Sequence, residues 1–447
     1  MSSPQPHGAV PSPAQLAWHR RELYGFIHFT VNTFTDREWG YGDEREELFN
    51  PSELDCAQWV AAAKAGGLGA LILTAKHHDG FCLWPSATTA HSVARSPFRN
   101  GHGDVVRELA DACRAGGIGL GIYCSPWDRN HAEYGSPAYV DAFHAQWREL
   151  LTRYGPLCEL WFDGANGGDG YYGGARETRR IDARSYYRFD ELWAMCREHQ
   201  PDAVAFSDAG PDIRWCGNES GFVGTTCWSK VRPVGFAPGM VDDMQRLAEG
   251  DPDGIVWRPA EVDVSIRPGW FWHPNERPHG DDTLFAMWLA SVGRGAGMLL
   301  NLTPDRRGLI PESDVLALRR LRARIEAFEA IDVLRGRGEG PLAALTDDDP
   351  DTWWAAPERI TEIVLEFGRR VDVGGIRLEE AIRFGQRIED FAVDLRFGSH
   401  WYEHTRGTTI GAQRIIPVSP ARGDALRLRI LARQAPAVLR GIKAYAR

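Results

Sequence analysis

From about residue 20 to residue 330 the chain alternates short apolar runs with longer stretches whose apolar positions recur at helical spacing. The runs YGFIHFT (24–30), ALILTAKHHDG (70–80), GLGIYCS (119–125), CELWFDG (158–164), AVAFSD (203–208), EVDVSIR (261–267) and GMLLNLTP (297–304) read as strands. Between them CAQWVAAAKAGG (56–67), DVVRELADACRAGG (104–117), AYVDAFHAQWRELLTRYG (138–155) and SYYRFDELWAMCREHQP (185–201) read as helices, the first two stopped by glycine pairs.

Apolar strands separated by amphipathic helices imply a parallel sheet covered on both faces. A doubly wound sheet and a closed (β/α)8 barrel both satisfy that pattern. Two features select the barrel. No G-x-G-x-x-G turn follows the first strand, and polar residues recur where strands end: His28, Lys76, His77, His78, Tyr123, Ser125, Asp163, Ser207, Asp208 and Arg267. A barrel gathers its catalytic groups at that C-terminal rim, delivered by different strands. After a helix over 312–332 and the Gly/Arg linker LRGRGEG, the period falls to two in EIVLEFG, VGGIRLEE, EDFAVDLRFG, RIIPVS, ALRLRIL and GIKAYA. Short alternating runs with turns between them predict an antiparallel β-sandwich. The expected fold is thus α/β: a (β/α)8-like TIM barrel over 16–333 and a small antiparallel sandwich over 340–447, after a disordered Pro/Ser-rich lead-in over 1–15.

Length and charge sharpen this picture. At 447 residues the chain suits one large barrel with a small companion. Its net charge of −10 and the lack of any basic run interleaved with aromatics argue against a nucleic-acid partner. No apolar stretch is long enough to span a membrane, and the lead-in has no apolar core of a signal peptide. Eight cysteines without a C-x-x-C pair point to reduced thiols and a cytoplasmic setting. Oligomeric state is not encoded in any pattern here. Seventeen tryptophans exceed what a core of this size needs, and flat indole faces are what sugar clefts use.

Asp163 ends an apolar strand, and a glycine-rich loop rather than a helix follows it. A carboxylate flanked by Trp161 and Phe162 suits attack on an anomeric carbon or stabilisation of an oxocarbenium ion. Adjacent His77 and His78 should point to opposite faces of an extended strand, a poor arrangement for chelating one metal. Neutral imidazoles bonding sugar hydroxyls fit better. Glycoside hydrolysis also needs a second carboxyl to protonate the leaving oxygen. By spacing alone Glu219, in a loop DIRWCGNESG, is one candidate beside Glu38, Glu44, Glu261 and Glu276.

Five ordered motifs, GFIHFTVNTFTDREWG, TAKHHDGFCLWPSATTAHSV, ELWFDGANGGDGYYGG, DVSIRPGWFWHPNE and LLNLTPDRRGLIPESDV, resemble the α-L-fucosidases of glycoside hydrolase family 29. The resemblance spans about residues 18–325. It implies a (β/α)8-like barrel, frequently followed by a β-sandwich, and removal of terminal α-L-fucose with retention, without metal or cofactor. It makes Asp163 the nucleophile. His28, His77, His78, Tyr123, Arg214 and Trp215 would bind the sugar, with Glu38 and Trp39 approaching from the first loop. The insertion after Asp163 and the motif WCGNESG resemble the subgroup acting on α-1,3 and α-1,4 linkages, which makes Glu219 the acid/base and Glu276 its alternative. The segments LTDDDPDTWWAAPE and IVLEFGRRVDVGGIRLEE resemble the discoidin-like (coagulation-factor type C) sandwich of carbohydrate-binding modules. The aspartate run would be a calcium loop or, on the simpler and preferred reading, a solvated turn with the Trp pair in the core. Two other readings compete: a metal-dependent barrel hydrolase using His28, His77, His78 and Asp163, and a non-catalytic fucose-binding protein, which would have lost a carboxylate.

Overall fold

A computed structural model describes residues 4–235, 237–241 and 243–447. Eight strands close into a parallel barrel: β1 (Leu23–Ile27), β2 (Ala70–Lys76), β3 (Gly119–Cys124), β4 (Glu159–Trp161), β5 (Val204–Ser207), β6 (Ile213–Trp215), β7 (Ala260–Ser265) and β8 (Gly297–Leu302). Each pairs with its neighbours in sequence, and β8 closes on β1, where Phe26 lies beside Asn301. Inward residues Tyr24, Phe26, Ile72, Tyr123, Trp161, Phe206, Ile213 and Leu299 fill the barrel. A larger apolar layer lies between the strands and the helices outside.

The helices obey their sequence signals. Asp55 caps α2 (Cys56–Ala65) by accepting from the Ala57 amide at 2.9 Å, and Asp104 caps α3 (Val105–Gly116) through Arg107; each cap is worth about 1 kcal/mol. Gly117 ends α3 at φ +69, the left-handed backbone that a side chain resists. Further on come α4 (Pro137–Arg153), α5 (Phe189–His199), α6 (Asp281–Ala290) and α7 (Glu312–Glu329). Between β5 and β6 there is no helix among the described residues. Five residues, 208–212, make that parallel crossing, with Asp212 bonded to the Ala205 backbone at 2.9 and 3.1 Å.

Residues of the lead-in lie against the protein rather than apart from it. The His7 amide donates to the Phe384 carbonyl. Ser12 and Gln15 form a capping box on α1 (Pro13–His19), and buried Gln15 donates to the carbonyls of Asp212 and Trp257, each at 2.8 Å. Low local hydrophobicity suggested disorder, but these long-range bonds are invisible in composition.

Six further strands form one antiparallel sheet in the order β9-β14-β10-β13-β11-β12. They are β9 (Trp354–Ala355), β10 (Glu362–Glu380), β11 (Ile388–Phe397), β12 (His400–Gly407), β13 (Arg414–Arg433) and β14 (Val438–Ala446). The 19-residue β10 and 20-residue β13 shift register between Glu366 and Val371 and again between Val373 and Gly375. Bulges bend strands, and the sheet shares one core of Phe367, Ile376, Phe391, Leu426 and Ile442, the arrangement of a β-sandwich. Trp354 sits in that core, whereas Trp353 packs on Phe384. Two of the four aspartates in the run are paired with cations: Asp348 with Lys443 and Arg335, and Asp351 with Arg20 and Arg383. A cavity of about 360 Å³ at the junction with the barrel is lined by such mutually paired charges. Among the described residues no helix is long and apolar enough to cross a membrane.

Candidate active site

Every barrel strand sends at least one side chain to the same end. There they line, or support, a cavity of about 320 Å³. His28 follows β1 and His77–His78 follow β2; Tyr123 lies on β3 and Asp163 just beyond β4. Asp208 follows β5, Trp215 ends β6 with Glu219 four residues on, and Asp263 lies on β7. From β8, Asn301 reaches His28 at 2.8 Å.

Asp163 is fixed by two donors. The Tyr123 hydroxyl donates to Oδ2 at 2.9 Å, and the Ala165 amide to Oδ1 at 2.7 Å. Burial, then the Asp163 charge, pushes the Tyr123 hydroxyl well above its ordinary pKa, so it stays a donor. Glu219 stands at the mouth of the same cavity, its Oε2 accepting from the Trp270 indole at 3.1 Å. Its pKa is raised, first by desolvation and also by the charges of Asp163 and Glu38, while the Trp270 bond opposes the shift. A carboxyl whose proton affinity is raised by its surroundings, in one cavity with a second carboxyl, is the arrangement that acid–nucleophile pairs require.

The imidazoles are neutral. Burial lowers the pKa of His28 to about 3 and those of His77 and His78 in the same direction. The single proton of Ser125 goes to the Trp127 carbonyl, so His78 Nδ1 must donate to Ser125, 2.7 Å away. Its Nε2 is left as an acceptor, 3.8 Å from Asp163 Oδ2. Asn301 spends its amide on Ser265 and the Trp270 carbonyl, so its oxygen receives the His28 Nδ1 proton. Two bare Nε2 atoms therefore present lone pairs to hydroxyl donors. His77 Nδ1 is buried with no partner among the described residues.

Both His77 and His78 reach the cavity, against the expectation of opposite faces. β2 stops at Lys76, the pair lies in the turn beyond it, and strand alternation no longer applies; the ring centres are 4.2 Å apart. Among the described residues no group of three or more His, Cys, Asp or Glu is arranged to hold a metal ion.

Arg214 is a correction. The segment read as a loop is β6, with Ile213 and Trp215 facing inward, so Arg214 faces outward. There it is buried and donates to the carbonyls of Leu247 at 2.8 Å, Trp228 at 2.9 Å and Arg258. Replacing it by methionine strips donors from three carbonyls, at about 1–3 kcal/mol for each buried group left unpaired. The Arg214→Met protein should melt at clearly lower temperature while KM of the folded fraction stays unchanged. A raised KM at unchanged melting temperature would return Arg214 to the pocket.

Other rim residues also turn away. Lys76 is buried against Asp128 and Gln146, and Arg267 against Asp314. Glu276 binds the Gly269 amide at 3.0 Å and does not line the cavity. Glu44 accepts from the Tyr41 and Gly42 amides, and Glu261 lies deep in the barrel, accepting from Tyr24 and Trp161. Glu38 borders the cavity, but its two oxygens hold the Trp270 and Phe271 amides at 2.8 and 3.1 Å. Trp39, 52% exposed, stands edge-on to His78 at the rim.

Several lining residues were assigned no role from the sequence. Trp270 sits inside DVSIRPGWFWHPNE, yet its place depends on Glu38, 232 residues earlier. Asp263 is hidden in an apolar run; the Trp215 indole donates to it at 2.7 Å, and burial first, then Glu219, raise its pKa well above the ordinary value. Asp208 was visible only as a polar strand end.

The model of the α-L-fucosidase family matches residues 7–324. Alpha-L-fucosidase 1 of Arabidopsis thaliana is 43% identical over 432 residues, covering 92% of this chain and 82% of its own. A glycoside hydrolase 29 family member from an unknown rumen bacterium superposes with a TM-score of 0.91 at 40% identity, covering 99% of this chain and 78% of that one. A Ruminococcus gnavus GH29 fucosidase solved in complex with fucose gives a TM-score of 0.87 at 28% identity, covering 100% and 96%.

Proposed function

This chain belongs to the α-L-fucosidase family, glycoside hydrolase 29, and from that premise we propose a retaining exo-enzyme that removes terminal α-1,3- or α-1,4-linked L-fucose by double displacement. One observation carries the assignment of roles: Asp163 and Glu219 border a single cavity with three neutral imidazoles and four indoles. Among the described residues, the other carboxyls there are engaged otherwise. Glu38 and Asp208 spend both oxygens on backbone amides, and Asp263 is committed to Trp215.

Glu219, protonated at rest, gives its proton to the glycosidic oxygen as an Asp163 oxygen attacks the anomeric carbon. The C–O bond to the leaving group breaks and a fucosyl ester of Asp163 forms. Glu219, now ionised, takes a proton from water, whose oxygen attacks the same carbon and frees the Asp163 carboxylate. Hydroxyls of the sugar donate to the bare Nε2 atoms of His28 and His78, and the indole faces cover its apolar side.

The linkage preference rests on WCGNESG and on the insertion after Asp163, which folds as a small hairpin of Gly168–Gly170 with Glu177–Arg179. We read residues 16–333 as the catalytic unit and 340–447 as a discoidin-like module. Proton NMR of the first fucose released from a panel of α-1,2, α-1,3 and α-1,4 oligosaccharides tests this reading. α-L-Fucose should appear first, and from the α-1,3 and α-1,4 members. Initial β-L-fucose would contradict retention, and equal release from the α-1,2 linkage would contradict the subgroup.

A further inference from the structure

Asp208 has no part in the chemistry above, yet it borders the cavity beside Asp163. Both its oxygens accept the backbone N–H of Gly239, each at 3.0 Å. From the other side the Asn166 amide donates to the Gly239 carbonyl at 3.2 Å and to the Gly164 carbonyl at 2.8 Å. The residue Gly239 is therefore gripped at its N–H by the end of β5 and at its C=O by the loop that carries Asp163. Space is as tight as the bonding. Gly239 has φ +74, and a Cβ there would stand 2.4 Å from the Asn166 amide nitrogen; a Cβ on Gly164 would stand 3.1 Å from the Asp208 carboxyl carbon. Gly239 and Val241 line the cavity, while Met240 between them is 40% exposed. The strap thus faces the cavity on one side and presents an apolar side chain to solvent on the other.

We propose that Asp208 is a positioning residue that clasps the 239–241 strap, through Gly239, onto the nucleophile's loop and so builds the wall against which the leaving-group sugars rest. The proposal takes Asp163 as nucleophile from the reading above. A charge-assisted grip on one amide is stronger than a neutral one, and its loss frees the strap without removing any group that touches the reacting atoms.

Hydrogen–deuterium exchange of the 239–241 segment and steady-state kinetics on the full chain test it together, with Asp208→Ala and Asp208→Asn. In the alanine variant exchange of the strap should accelerate. KM for a branched α-1,3/1,4-fucosylated oligosaccharide should rise about tenfold, equivalent to about 1.4 kcal/mol, and by clearly more than KM for an aryl α-L-fucoside, because that small leaving group does not need the wall. Asparagine, whose amide oxygen still accepts from Gly239, should recover much of both. Unchanged exchange, or equal losses on both substrates, would overturn the clasp. Should Asp208→Ala fail to fold, Asn166→Ala removes the other half of the grip and must speed exchange and raise the oligosaccharide KM in the same way; no change in either overturns the proposal. A native protein inert on both substrates would sink the nucleophile reading and the kinetic claim built on it, whereas the exchange result judges the clasp by itself.

Discussion

An Asp163→Gly enzyme should hydrolyse an aryl α-L-fucoside about 10⁴-fold more slowly than the native protein, or worse, as removal of a covalent nucleophile ordinarily costs. The reason is specific to this pocket. Tyr123 and the Ala165 amide each hold one Asp163 oxygen, and among the described residues the other cavity carboxyls, Glu38, Asp208 and Asp263, are already bonded. Glycine also empties a space just beneath the anomeric carbon, so added azide should restore turnover by attacking directly. That single inversion gives β-L-fucosyl azide. Undiminished hydrolysis, or rescue yielding the α-azide, would mean that another group forms the covalent bond.

Loss of Glu219 should look different. Glu219→Ala withholds the proton from the departing oxygen, so hydrolysis of oligosaccharides, whose leaving groups are weakly acidic alcohols, should fall about 10²–10⁴-fold. A nitrophenyl fucoside, which departs without help, should still form the fucosyl-enzyme, and azide should then displace it with net retention to give α-L-fucosyl azide. The two variants therefore yield opposite anomers. The pH dependence comes from burial and from the nearby carboxylates, which raise the Glu219 pKa above the ordinary glutamate value. The group works in its protonated form, so native kcat/KM should fall as pH rises through that elevated pKa, and the Glu219→Ala enzyme should lose this alkaline limb. An alkaline limb that persists in the variant would assign the acid elsewhere.

How far the sequence led depends on where each residue stands. Apolar runs capped by polar residues exposed the barrel and most of its rim, because strand ends and catalytic groups coincide in this fold. His28, Tyr123 and Asp163 were legible on that basis, and Trp215 only through the resemblance of its motif. Arg214 was not, because three residues of strand following a five-residue crossing carry no periodic signal; only Ile213 packing inward fixes which neighbour faces out. The His77–His78 pair was misjudged by extending the strand two residues too far. Asp263 escaped because an acid inside a barrel looks unfavourable until Trp215 supplies its partner. Trp270 and Asp208 act through contacts with Glu38, Glu219 and Gly239 that lie far off in sequence.

Double displacement requires a covalent bond between fucose and Asp163. Incubation with 2-deoxy-2-fluoro-L-fucosyl fluoride, whose C2 fluorine slows both attachment and release of the sugar while its good fluoride leaving group restores the attachment step, should accumulate the ester. Mass spectrometry of a peptic digest should then find one fluorofucosyl group on the peptide containing Asp163. The same label on a peptide lacking Asp163 would contradict the mechanism.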